Sequence, residues 1–311
     1  MSSTMLQLVQ QVTGELGVST PTSVAGNTNQ DIIQILALMN ACGYELLRKA
    51  DWRELTKQHQ IYTEFLTTTG TYTTASREIT AIPSTTGLDT TYIVTGTGIP
   101  QNTYISSVDS GTQVTVDKDF TAAATAGDIY FQKLQYDLPA DYESIVPRTQ
   151  YDLDKKWEML GPESPQQWEF ILSGFISTGP RVRWRLLGSY FQIWPGFSNA
   201  ELLGFEYRSN GWATSAASVP KTSFTVDTDT CIYPSRLMVL FTKLKYFEAK
   251  GFDTTAMFRN YTTELEAAMA LDMSAANLSF APKPGSVLIG YDNIHWVHVR
   301  NRITGVPAAN R

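Results

Sequence analysis

Met5, Leu8, Val9, Val12 and Leu16 recur at helical spacing, and Gly17 stops the pattern, so the chain opens with an amphipathic helix. A second helix, capped by Asn27 or Thr28, sets Ile32, Ile35, Leu36, Met39, Cys42 and Leu46 on one face and ends near Asp51. Trp52–Tyr62 then reads as a strand, with Trp52 a core anchor at the junction. From Leu66 to about Phe131 the pattern changes to Thr, Ser and Gly interrupted by short β-branched runs. Strands are predicted at Arg77–Ile82, Thr91–Thr95, Thr103–Val108, Gln113–Val116 and Asp128–Phe131, with turn residues at intervals of about ten. This is a small β-sandwich or barrel inserted into the first domain. Entry and exit of such an insert through one β-rich region should bring Leu66 and Phe131 together. Gly96-Thr97-Gly98-Ile99-Pro100 reads as a turn, because no helical pattern follows it to make a phosphate loop.

After Leu134 the chain becomes aromatic-rich. Tyr136–Tyr142 is an extended segment leading to a turn, a mixed stretch with Trp157 and Trp168 follows, and three strands are predicted at Arg181–Leu186, Tyr190–Trp194 and Leu202–Tyr207. Leu187-Gly188-Ser189 forms the tight connection between the first two, and Pro195-Gly196 ends the hairpin. In a sheet with one buried face, Trp184, Phe191, Trp194, Phe205, Tyr207 and Trp212 are expected in the core, Trp184 and Trp194 as anchors; a sugar-stacking surface is the competing use. Pro234 fits a first helical position. Leu237, Leu240, Phe241, Leu244 and Phe247 then make an apolar stripe anchored by Phe241. Lys243, Lys245 and Lys250 lie off that stripe, as a solvated side or a docking surface. Gly251 caps this helix, and a second one starting at Asp253 or Thr254 carries Met257, Tyr261, Leu265 and Ala268, so the two form an antiparallel hairpin.

Ala276–Arg311 reads as an extended arm. Pro282, Pro284 and Gly285 forbid a helix, and two short apolar runs, Val287–Tyr291 and Ile294–Arg300, look like strands without a sheet. Lys283, Arg300, Arg302 and Arg311 against Asp292 give the arm a net charge of +3, which leaves −9 on the rest of a chain whose total is −6. A basic arm beside an acidic body points to a second subunit or another protein of one assembly as partner, with Tyr291, Trp296, Arg300, Arg302, Lys243 and Lys245 as the expected contacts. The fold class is therefore α+β: a helical bundle with a β-sheet over 1–65 and 134–275, an inserted all-β domain over 66–133, and the arm over 276–311.

With 42% hydrophobic and 17% charged residues, the chain has the composition of a folded protein. No run approaches the roughly 18 apolar residues of a membrane span, and the first residues lack a basic segment followed by an apolar one, so a soluble protein without a secretory signal is expected. Cys42 and Cys231 sit in apolar sequence and read as buried thiols. A pI near 5.2 argues against a basic nucleic-acid-gripping face. Catalytic patterns are nearly absent. His59, His295 and His298 are the only histidines, and the last two, three apart on an extended segment, point to opposite faces. Asp227 and Asp229 suggest a carboxylate pair or calcium loop with an incomplete ligand set, better explained by a turn. No catalytic residue, metal or cofactor is assigned, and the chain reads as a non-enzyme.

The order of these elements resembles the head-to-tail adaptor proteins of short-tailed bacteriophages, also called tail tubular or tail accessory ring proteins. The resemblance rests on a helical start running into Ala50-Asp51-Trp52-Arg53, on Leu138-Pro139-Ala140-Asp141-Tyr142, and on Tyr246-Phe247-Glu248-Ala249-Lys250-Gly251 followed by an amphipathic helix. It covers residues 1–65 and 134–275; the simplest adaptors lack the 66–133 insert, which resembles small β-domains that decorate phage virion proteins. The resemblance implies a virion protein, assembled in the host cytoplasm into a ring of twelve copies beneath the portal. That ring would continue the DNA exit channel, meet tail nozzle or fibre proteins, pass DNA without specific binding, and involve no membrane. The alternative is a glycan-binding or fibre-attachment virion protein built on the β-rich parts.

Overall fold

The computed structural model describes residues 3–173 and 181–272. The arm over 276–311, with Tyr291, Trp296, Arg300, Arg302, His295 and His298, lies outside the described residues. The fold is α+β with an inserted β domain.

Helix α1 (Met5–Leu16) begins with a capping box in which Thr4 and Gln7 satisfy each other's backbone N–H groups, and Gly17 ends it in the left-handed region at φ 71°. Helix α2 (Gln30–Leu47) is capped by Asn29 rather than Asn27 or Thr28. Asn27 instead accepts from the Asn29 N–H, so an Asx turn precedes the cap. α2 ends at Leu47, and a single 3₁₀ turn, Arg53–Leu55, intervenes before strand β1 (Thr56–Tyr62). The expected strand is thus shorter at its start. Trp52 is buried there, with its indole N–H donating to the Leu46 carbonyl at the open end of α2.

The inserted domain holds β2 (Phe65–Tyr72), β3 (Glu78–Ile79), β4 (Tyr92–Gly96), β5 (Thr103–Ser110), β6 (Gln113–Val116) and β7 (Ala124–Lys133). They form one antiparallel sheet in the order β2-β7-β4-β5-β6-β3, and a Thr71–Thr80 bridge brings its two edges together, giving a nearly closed barrel. Leu66 and Phe131 are direct register partners, as expected of the two ends of an insert. Tyr72, Val94, Ile105, Val116, Phe120, Ile129 and Phe131 fill an interior of its own. β2 escapes a pattern search because Thr67, Thr68, Thr69 and Thr71 supply β-branched side chains without apolar alternation.

The chain then builds two facing sheets. β8 (Gln135–Asp137), β12 (Arg183–Leu187) and β13 (Tyr190–Trp194) form one, in the order β12-β13-β8, with Gly188-Ser189 as a two-residue turn and Gly188 at φ 59°. β1, β9 (Tyr142–Ile145), β10 (Tyr151–Asp152), β11 (Trp157–Glu158) and β14 (Leu202–Ser209) form the other, with β14 central. Ile61, Trp184, Phe191, Ile193, Leu203, Phe205 and Tyr207 interdigitate between them. Helix α3 (Pro165–Leu172), which the sequence pattern does not predict, starts from a Ser164/Gln167 capping box and buries Trp168 and Ile171.

A small sheet, β15 (Ala213–Thr214), β16 (Pro220–Lys221) and β17 (Thr230–Cys231), leads to α4 (Ser235–Lys250) and α5 (Thr255–Asp272). Pro234 is the N-cap of α4 rather than its first helical residue. α1, α2 and α4 bury Leu8, Val12, Ile35, Met39, Leu237, Phe241 and Leu244 in one core, to which Trp212 and Phe224 also belong. Trp212 therefore packs with the helices and not with the aromatic sheets. Gly43 on α2 is what admits it: a Cβ at Gly43 would lie 2.3 Å from the Trp212 ring.

Candidate interaction surfaces

Among the described residues no group of three or more His, Cys, Asp or Glu side chains is placed to hold a metal ion. Asp227 and Asp229 are occupied by backbone. Asp227 accepts from Ser23 Oγ at 2.6 Å and from the Val24 and Ala25 N–H groups, tying the α1–α2 connection to the loop before β17. Asp229, almost wholly buried, accepts from Lys221 Nζ at 2.9 Å and from the Thr225 and Val226 N–H groups. Burial pushes both carboxyls up, but these hydrogen bonds outweigh it and hold both below the usual carboxylate range. They are turn-fastening groups, as the sequence suggested. His59 on β1 packs against the Phe205 ring at 5.3 Å; burial lowers its pKa against the opposing pull of Asp141. Cys42 and Cys231 are free and buried, and burial pushes both thiols up to about 12.

The lysines of α4 are not a free basic face. Lys243 Nζ lies 2.7 Å from Glu15 of α1, which also pairs with Arg236 at 2.8 Å, while Lys245 Nζ lies 2.9 Å from Glu45 of α2. Lys250 reaches Asp31 at 3.6 Å. The expected solvated side of α4 is therefore the seam by which α4 is held to α1 and α2. Sequence periodicity cannot see this, because the acids that neutralise the lysines lie on helices about two hundred residues away.

Trp52, Trp184 and Phe241 are buried, whereas Trp194 is only half-buried at the end of β13. Its side chain sits where the strand leaves the sandwich toward Pro195. Phe191, Phe205, Tyr207 and Trp212 are also buried, so a stacking platform built from them would have no open ring face. Trp157, by contrast, is exposed on the short edge strand β11.

Leu138-Pro139-Ala140-Asp141-Tyr142 proves to be a fastening of the larger sheet. Asp141 accepts from Lys57 Nζ at 2.7 Å on β1, and from Tyr207 OH at 2.8 Å and Ser209 Oγ at 2.6 Å on β14, while the Tyr142 ring stacks on that of Tyr207. Burial raises the Asp141 carboxyl, and its three donors overcome this to keep it low. Glu64 plays the corresponding part at the root of the barrel. It accepts from Lys133 Nζ at 3.0 Å and from Tyr92 OH at 2.8 Å, and its N–H donates to Tyr136 OH. Lys133 also lies over the Tyr92 and Tyr136 rings. The barrel also touches the body where the Asn102 amide donates to the Leu172 carbonyl. Neither Glu64 nor Asp141 belongs to a spaced motif; each draws its partners from remote strands.

Two open surfaces stand out among the described residues. A cleft of about 500 Å³ runs between the end of α2, the start of β9, β14 and α5, lined by Arg48, Asp51, Trp52, Glu143, Arg208 and Met269. The second is α5 itself. Of its 18 residues only Tyr261 and Ala268 are buried, Tyr261 stacking on Phe241 of α4 with centroids 4.4 Å apart. Phe258 is 57% and Leu271 86% exposed, and Phe252, in the turn before α5, is also open. No helix among the described residues is long and apolar enough to cross a membrane. The chain matches no family model, and no curated protein matches it.

Proposed function

We propose that the protein is a structural virion subunit, the head-to-tail adaptor that forms a closed ring beneath the portal of a short-tailed bacteriophage and continues the DNA exit channel. The observation that carries this reading is α5. A two-helix hairpin packed on one side only, with Phe258 and Leu271 turned outward from a well-filled core, has the surface of a subunit whose burial is completed by a neighbour. Three features support it. The helical start running into Trp52, the Asp141 fastening and the α4–α5 hairpin occur in the order of the adaptors that the sequence resembles. The acidic body suits a lumen that lets a polyanion pass without holding it. The polar clusters around Asp141, Asp227, Asp229 and Glu64 each join elements of the fold, as a structural subunit requires. In a ring the helical hairpins face the portal and the neighbouring subunits, the sandwich supplies rigidity, and the barrel projects from the side toward fibres or capsid.

The test is to mix the purified protein with portal protein and measure the mass of the product. A complex whose mass corresponds to a ring of copies on one portal supports the reading. A protein that stays monomeric and never co-sediments with portal overturns it.

A further inference from the structure

β1 is an edge strand. Its seven residues pair with β14 in unbroken register from Thr56↔Arg208 to Tyr62↔Leu202. The Thr63 N–H donates to the Glu201 carbonyl, while the Leu202 and Glu206 carbonyls, on the opposite side of β14, accept from Leu153 and Val146. The alternation this fixes turns the N–H and C=O groups of Lys57, His59 and Ile61 toward β14, and those of Gln58, Gln60 and Tyr62 away from it. Along the outer edge three residues in turn therefore present backbone that is unpaired among the described residues.

Proteins ordinarily guard such an edge with a bulge, a proline, an outward lysine or a covering element. β1 has no bulge and no proline, and its one charged residue, Lys57, is turned to Asp141 at 2.7 Å. The residues on the solvent face, Gln58, Gln60 and Tyr62, are uncharged, and Tyr62 is 68% exposed. Among the described residues the edge is thus long, regular and undefended, the geometry of strand addition.

We infer that residues Ile294–Arg300 of a second copy of this chain add to β1 as a further antiparallel strand; that the donor is a neighbouring copy rests on the ring reading above. The segment is as long as β1, and its β-branched and aromatic residues, Ile294, Trp296, Val297 and Val299, favour a strand. It belongs to the one strongly basic part of an acidic chain. In antiparallel register Arg300 comes opposite Thr56, next to the exposed Glu54, and Trp296 comes opposite Gln60, diagonal to Tyr62. Val297 and Val299 then share the face of His59 and Ile61 and extend the interior of the sandwich. Reach is sufficient: Asp272, the last described residue, accepts from the Arg53 N–H at 2.8 Å just before β1, and the 21 residues from there to Ile294 span up to about 70 Å, enough for an adjacent subunit.

The experiment replaces Trp296 with the photoreactive benzoylphenylalanine in the full chain. Copies grown on light and heavy nitrogen are mixed, with and without portal protein, and the cross-linked peptides are read by mass. Cross-links between heavy and light copies that land on Gln58–Tyr62 are expected. The double variant Gln58→Lys and Gln60→Lys, which alters only solvent-facing side chains of the edge, should keep its melting temperature while those cross-links fall at least about tenfold. Cross-links confined to one copy, cross-links that land elsewhere, or a signal unmoved by the lysines would each overturn the inference. Heavy–light cross-links to β1 without any portal complex support strand addition and count against the adaptor reading. A portal complex whose cross-links miss β1 does the reverse.

Discussion

Single side chains in this protein mostly do joining work, and the cost of removing them follows from burial. Asp229 is 1% exposed and accepts from one ammonium and two backbone N–H groups, so Asp229→Ala strands buried donors and should destabilise by about 2–3 kcal/mol in denaturant unfolding. Gly43→Ala should cost about 1–3 kcal/mol, because the added methyl can be housed only by shifting Trp212 in a filled core. The same polar groups set the acid response. Glu15, Asp141, Asp227 and Asp229 are all held below their ordinary values, burial opposing and hydrogen bonds prevailing. A carboxyl whose folded pKa is depressed stabilises above its unfolded pKa, and that contribution is lost as pH falls through the folded value. Asp152 runs the other way: burial raises it, and protonation favours the fold. Six lowered carboxyls, Asp109 and Asp253 included, against one raised predict a melting temperature that falls steadily below about pH 4, with a shallower fall in Asp229→Asn. An acid-insensitive melting temperature down to about pH 2 would contradict this.

Elements were legible in the sequence where burial alternates and hidden where it does not. The periods of α1, α2, α4 and α5 and the apolar runs of β4, β6, β13 and β14 lie in the chain because each faces a core on one side. β2 is Thr-rich and half-exposed, and α3 is two turns long with only Trp168 and Ile171 inward, so neither leaves a period to read. The partners of Lys243, Lys245, Glu64 and Asp141 were hidden for a different reason: they come from distant parts of the chain, and no local pattern encodes them. The insert was legible in outline, and the Leu66↔Phe131 pair gives a sharp test of its independence. Joining Leu66 to Phe131 with a short glycine turn removes the barrel core but leaves both sandwich sheets and the helical core whole. The product should unfold cooperatively with unchanged helical circular dichroism and a smaller denaturant m-value, since less surface is exposed on unfolding. Loss of Tyr92 from Glu64 and of Asn102 from Leu172 should lower its melting temperature modestly. A product without a cooperative transition would show that the barrel is part of the body's core.

At the scale of the molecule, the outward face of α5 separates a finished globule from a subunit. A single sequence records that Phe258 and Leu271 are apolar, but exposure emerges only once α4 has taken Tyr261 and Ala268 and left the other side bare. Burial of one such side chain in an interface is worth about 1.5–3 kcal/mol, and two such side chains, one near each end of α5, in contacts repeated around a ring weigh heavily on assembly. Neither side chain supports its own subunit to a comparable degree, because each already faces water. Phe258→Glu with Leu271→Glu should therefore leave the melting temperature of the isolated chain within a few degrees, while lowering the affinity for portal or for neighbouring copies at least about a hundredfold by sedimentation. Phe258→Leu with Leu271→Met keeps the surface apolar and should assemble close to normally, which separates loss of an interface from loss of a particular shape. If the glutamate pair assembles on portal as tightly as the unaltered chain, α5 faces solvent in the particle, and the observation on which the adaptor reading rests is gone.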